Sequence, residues 1–296
     1  MADTIVRVAD DVGALVRSNG GRPVPGSQAA KECNDDPFRD EWGSPAMSVV
    51  GSLILTATAC QDHLRAASIL LRSRTVTLSL HTVIRGAAEA AAIGSYLADP
   101  AIDQRERVRR GVNLRLAGVC QERWALQRFA GSEPDAATKI AGYDHVLDRF
   151  ERAAAEHGFT FAAADRFKPA FLDEKIPSTT ELLSLYVFPG TPMLGKSYYN
   201  GLSAVAHSQL NGLMRKLIPD GAGGMRVNAT AQVTALELLA GPLAASTLVE
   251  HTVPWMGWDP TALNASIPAM FDLWGRIADA PYPGPGPAAN RDPADV

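Results

Sequence analysis

Between Val76 and Leu97 the chain reads VTLSLHTVIRGAAEAAAIGSYL, and no other stretch restricts the fold as much. Its strongly polar residues, His81, Arg85 and Glu89, are four apart. On a helix they stack on one line, with neighbouring Cβ atoms about 5–6 Å apart. Leu80, Val83, Ile84, Ala87, Ala91 and Ile93 cover the rest of the circumference. A helix that is apolar nearly all round is buried. A buried Arg and Glu must be paired and hydrogen-bonded, because an isolated charge in low dielectric costs more than the net stability of a domain. The segment therefore predicts a central helix with a buried polar cluster that another part of the chain completes.

Two later segments offer partners. In SYYNGLSAVAHSQLNGLMRKL, the residues Tyr199, Ser203, His207 and Asn211 are four apart. A helix over Ser197–Leu217 would present a phenol, a hydroxyl, an imidazole and an amide on one stripe. If this stripe meets the central helix, His207 can hydrogen-bond Glu89 or Ser203, and Arg85 can form a fork with Glu89. Glu237 is the only charged residue between Arg226 and Glu250 and is surrounded by leucines and valines. It needs a partner or a raised pKa. The expected site is a polar pocket with His207, Glu89, His81 and Glu237 as acid–base groups, and Arg85, Ser203, Tyr199 and Asn211 as ligand-binding groups. No metal or cofactor is expected in it. Arg85 would hold an anionic group of a small molecule while His207 acts as acid or base near neutral pH. A purely structural network that fixes helix register is the competing reading.

The rest of the chain reads as helices. Asp3 can cap a first one with Ile5, Val8, Val12, Leu15 and Val16 on one face, stopped by Asn19-Gly20-Gly21. Residues 19–43 read as a long loop. Ser44-Pro45 starts a helix to about Ser73, and Asp99-Pro100 starts another to about Ala130. A helix opened by Ser132 and Pro134 carries Ile140, Tyr143, Val146, Leu147 and Phe150 inward until Gly158. Residues 159–196 read as an irregular excursion broken by prolines, with brief strand pairing near Phe159–Phe161 and one short helix from the capping box of Ser178 and Glu181. Pro219-Asp220-Gly221 ends the Tyr199 helix, and a long apolar helix kinked at Pro242 follows. Asp259-Pro260 begins the last helix, and PYPGPGPAANRDPADV, residues 281–296, has the composition of a disordered tail. The sum is an all-α protein, a single bundle of about seven or eight helices over residues 1–280.

Composition narrows the function classes. A net charge of −4 over 296 residues names no polyanionic partner and counts against extended nucleic-acid binding. The basic run of Arg105, Arg107, Arg109, Arg110 and Arg115 reads as a solvated face, with Arg107 or Arg110 turning inward, or as a phosphate contact. Three cysteines without a CxxC pair fit a reducing cytoplasm, and the acidic start MADTIVRVADDVG is not a secretion signal. The apolar window Ala229–Val249 contains Glu237 and Gly241-Pro242, so it reads as a core helix and not a membrane span.

The segments TVIRGAAEAAAIGSYLADP, RERVRRGVNLRL and YYNGLSAVAH resemble a group of uncharacterised all-helical proteins common in actinobacteria. In that group an Arg-x-x-x-Glu helix runs into an aromatic-Leu-x-Asp-Pro corner and an Arg-rich helix, with a Ser-x-x-x-His helix later. More loosely they resemble the HEPN-like (higher-eukaryote and prokaryote nucleotide-binding) helical domains. That resemblance implies a nucleotide- or RNA-associated protein of a defence or toxin system, as a possible homodimer. Ribonuclease members of that family carry Arg before His on one helix. Here His81 precedes Arg85 and Arg215 follows His207, which counts against that activity. Asp35, Asp36 and Asp40 superficially resemble the aspartate-rich motif of terpene cyclases, which binds magnesium and diphosphate. They sit in a loop here and lack the companion motif.

Overall fold

The computed structural model describes residues 1–39, 43–73, 78–129, 134–162, 171–219, 221, 223–228, 230–261 and 263–281. The first helix, α1 (Ala2–Ser18), buries Ile5, Val8, Val12 and Leu15 as their spacing requires. The stretch after it is not all loop. Ser27 accepts a hydrogen bond from Ala30 N and caps a seven-residue helix, α2 (Gln28–Asn34). This segment wraps the bundle, with Val24 N bonded to Met256 O and Trp258 Nε1 donating to Arg22 O. Ser44 caps α3 (Pro45–Arg72), with Pro45 in the first turn where its missing N–H costs nothing.

The central helix is α4 (Ser79–Ala98); Val76 and Thr77, at its expected start, lie outside the described residues. Ile84, Ala87, Ala88, Ala91, Ala92 and Leu97 are fully buried in one large core. At Gly94 an added Cβ would stand 2.5 Å from Leu248 Cδ1 and 2.9 Å from Thr56 Oγ1, so a glycine is what lets the neighbouring helices approach.

Asp99-Pro100 makes a turn and does not start the next helix. The cap falls to Asp103, whose carboxylate accepts Glu106 N at 2.8 Å, and α5 (Gln104–Phe129) begins beyond it. It packs on α6 (Ala136–Glu156) around a second, smaller core of Val108, Val112, Leu116 and Phe150. The expected Ser132 start lies outside the described residues. Two residues of strand, β1 (Phe161–Ala162) and β2 (Phe171–Leu172), pair antiparallel. The capping box of Ser178 and Glu181 starts α7 (Thr179–Leu182), which passes into a π-helical turn at Leu183–Val187.

The expected helix over Ser197–Leu217 is broken. Pro192 starts it early, as α8 (Pro192–Ala206), and it stops at His207. Ser208 N bonds to Val205 O and Gln209 N to Ala204 O, the paired closure of a Schellman motif, with Ser208 in the left-handed conformation at φ 52°. A five-residue helix, α9 (Leu210–Met214), turns back on α8. At Gly212 an added Cβ would meet Ala204 at 2.7 Å. The Gly-rich turn then proves to be a hairpin, β3 (Leu217–Pro219) with β4 (Met225–Val227).

The long apolar helix is two helices, α10 (Ala231–Leu238) and α11 (Ala240–Met256), and the joint lies at Leu239, ahead of Pro242. Together they are long and apolar enough to cross a membrane by length and composition, yet 56% of the most apolar window is buried inside the protein. The last helix is α12 (Leu263–Asp279), and the tail from 282 onward lies outside the described residues. The architecture is all-α. Among the described residues eight helices of 15 residues or more form the bundle, and the short α2, α7, α9 and α10 raise the count above the expected seven or eight.

Candidate functional site

The polar line on α4 runs from a buried end to a half-open one, and the single expected pocket divides into two clusters. At the buried end, His81 is 6% exposed and its Nε2 lies 3.0 Å from Glu237 Oε2 on α10. Its Nδ1 faces Leu78 O at 3.2 Å. Lys216, just before β3, donates to the other oxygen of Glu237. Burial pushes the Glu237 carboxyl up, but His81 and Lys216 more than offset it and hold the group below its usual value. Glu237 is thus a paired carboxylate. No periodicity in the sequence marks Lys216, because the chain reaches Glu237 only through the short α9 and the β3–β4 hairpin.

One turn further along, the Arg85 guanidinium is the hub of the second cluster. Its Nε donates to Glu89 Oε1 at 2.7 Å, its Nη2 to Tyr199 Oη at 3.2 Å, and its Nη1 lies 2.9 Å from His207 Nε2. An arginine can only donate, so in this contact the imidazole nitrogen facing it serves as the acceptor. Tyr199 Oη in turn donates to Glu89 Oε1 at 2.8 Å. The expected fork between Arg85 and Glu89 is a single contact through Nε. Burial and the bond to Glu89 both push the Tyr199 phenol up. Burial lowers the Arg85 value, and Glu89 with Tyr199 raises it by more.

The other expected site residues contribute less. His207 meets Arg85, and neither Glu89 nor the Ser203 hydroxyl. Ser203 touches it only through its carbonyl, which accepts His207 N at 2.9 Å. Asn211 sits exposed on α9, off the stripe, with its side chain accepting Gly212 N. His207 itself is exposed.

The Arg-rich helix is turned inward far more than its composition indicates. Arg107 and Glu32 are each 3% exposed and lie 3.2 Å apart. Arg107 also donates to the carbonyls of Leu97, Asp99 and Ile102, while Trp255 Nε1 and Gln28 Nε2 donate to Glu32. This saturated pair ties α2, α5 and α11 together. Arg109 binds Glu106 and Glu174, and Arg110 binds Glu106, Tyr96 O, Asp99 and Tyr186 Oη. Of the five arginines between 105 and 115, Arg105 and Arg115 are exposed.

A cavity of about 590 Å³ opens at the start of α5, away from α4, and is lined by Asp103, Glu106, Asp173 and Glu174 against Arg105 and Arg109, with Phe159 among them. Arg105 is spent on the carbonyls of His157 and Gly158 and lies over the Phe159 ring at 3.8 Å. Four carboxylates to two committed guanidiniums repel an anion there. In the N-terminal segment Asp36 accepts Phe38 N, Ser44 Oγ and Ala46 N, so it anchors the start of α3; Asp40 lies outside the described residues. The described residues hold no group of three or more His, Cys, Asp or Glu placed to hold a metal.

Comparison of the chain with protein-family models, curated proteins and solved structures found no match. Function has to be read from the side chains themselves.

Proposed function

We propose that the Arg85–Glu89–Tyr199–His207 cluster is a binding site for a small molecule bearing an oxyanion, with His207 as the group that gives or takes a proton. One observation carries this reading: an exposed imidazole rests on a guanidinium whose position is fixed from behind by Glu89 and Tyr199. A network whose purpose is register would put its best-desolvated groups at its centre, as the Arg107–Glu32 pair does. Here the contact open to solvent is the one between two groups suited to an anion and a proton. Glu89 and Tyr199 act as positioning residues that keep the guanidinium plane presented to His207. The nucleotide- or RNA-associated reading gains little from α5, since Arg107, Arg109 and Arg110 are all taken by internal acceptors. Cys33 and Cys60 are free, buried thiols, and free thiols suit a reducing, cytoplasmic setting.

The test is a chemical-shift titration of the His207 ring with sulfate and with acetate, on the full chain and on Arg85→Met. Saturable shifts in the wild type, lost in Arg85→Met, support the site. Rings that stay unshifted by either anion overturn it.

A further inference from the structure

We infer that oxyanion binding at this site takes up one proton, because the seat for the anion is Arg85 together with a protonated His207. The inference rests on the oxyanion-binding reading above and adds its chemistry. In the arrangement observed, all three nitrogens of Arg85 have partners. The positive charge is balanced by Glu89, and His207, with its lone pair on Nε2, adds none. An anion arriving at this cluster finds no net charge and, of the five N–H groups of the guanidinium, only the two not already given to Glu89, His207 and Tyr199.

A proton on His207 Nε2 changes that. Two donors, each on a cation, would then face each other across the present 2.9 Å contact, which has to open. Opening frees Arg85 Nη1 and His207 Nε2–H toward a common space and leaves the cluster with one positive charge in excess. Two N–H groups on adjacent cations match two oxygens of a carboxylate or of a tetrahedral oxyanion.

Among the described residues no carboxylate is in contact with the His207 ring. From α4 the ring meets Arg85, which is tethered to Glu89; from α8, Tyr199 reaches the same guanidinium. The short α9 packed beside it, LNGLM, carries no titratable group. Lys216, Glu237 and His81 form their own cluster one turn away. Exposure of His207 gives both proton and anion a path from solvent.

Calorimetric titration of the full chain with sodium sulfate and with sodium acetate tests this, in buffer pairs of different ionisation enthalpy, from about pH 6 to about pH 8.5. Neither anion changes its charge across that range. The expected results are uptake of up to one proton per anion bound and an affinity that weakens by up to about tenfold per pH unit toward the alkaline end. Tighter binding of sulfate would assign a tetrahedral oxyanion, tighter binding of acetate a carboxylate, and either agrees with the inference. In His207→Gln, whose amide oxygen can still accept from Arg85, binding should be weak and flat with pH. Wild-type binding without proton uptake, or pH-dependent binding that survives in His207→Gln, overturns the inference while the oxyanion site stands. Absence of binding of both anions throughout the range overturns the site and the inference together.

Discussion

Ser208 shows how much rests on one residue's backbone. It occupies the left-handed position that closes α8, where glycine is the usual occupant and any other side chain costs about 1–2 kcal/mol. Ser208→Gly should therefore raise stability by roughly 1 kcal/mol, read as a shift in the urea midpoint at constant slope. A second prediction concerns Glu89, which balances a guanidinium only 19% exposed. Glu89→Gln leaves that charge uncompensated and should cost about 1–3 kcal/mol. Tyr199→Phe removes one donor to Glu89 and one acceptor for Arg85, but no charge, and should cost less. At this scale the sequence was informative about identity: the four-residue spacing picked out Arg85, Glu89, Tyr199 and His207, which do meet. It could not supply Lys216 as the partner of Glu237, nor take Asn211 off the stripe, because both depend on a helix end marked by serine in place of glycine.

Among elements, legibility follows how local the determining chemistry is. Ser44-Pro45 and the box of Ser178 with Glu181 start helices where the residues say they should, since each cap is completed within four residues. Asp99-Pro100 offers the same signal and starts none, because the Asp99 carboxylate is drawn off to Ala101 N, Tyr186 and Arg110. The helix α2 and the hairpin β3–β4 are too short to show a period. The Arg-rich face of α5 turned inward for a reason remote in sequence, Glu32, which α2 delivers. That pair yields a prediction about how elements are held together. Arg107→Met or Glu32→Gln alone should cost about 3–5 kcal/mol by orphaning a buried partner, while Arg107→Met with Glu32→Leu should recover most of the loss. Equal losses in single and double variants would show that the carbonyl contacts of Arg107 dominate instead. Gly94→Ala, which drives a methyl into Leu248, should cost about 1–3 kcal/mol by separating α4 from α11.

Taken as a whole, the molecule should be sensitive to acid. Burial raises Asp99, Glu106 and Glu237, and in each the bonds to cations and N–H groups reverse this, so all three sit below the usual values of 3.8 for aspartate and 4.5 for glutamate. A depressed native value means the unfolded chain binds the proton more readily. Their contribution is complete above about pH 4.5 and is lost as the pH falls through the native values. Urea unfolding should show stability level near neutrality and falling below that point, and Lys216→Met should lower the neutral level and make the fall shallower, because Glu237 loses one of the partners that depress it. The bundle itself was legible because eight long helices carry their own apolar periods. The division of the polar line into a buried and an open cluster was not, since it depends on where α8 ends and where the hairpin returns.

The open cluster carries the proposed function, and thermal unfolding of His207→Ala beside the wild type, without ligand and at equal concentration, tests it most directly. An exposed acceptor that exists for a ligand contributes little to the fold, so the melting temperature should change by less than about 2 °C, roughly 1 kcal/mol for a chain of this size. A larger fall would mean that His207 clasps α8 to α4 and that the cluster serves the fold.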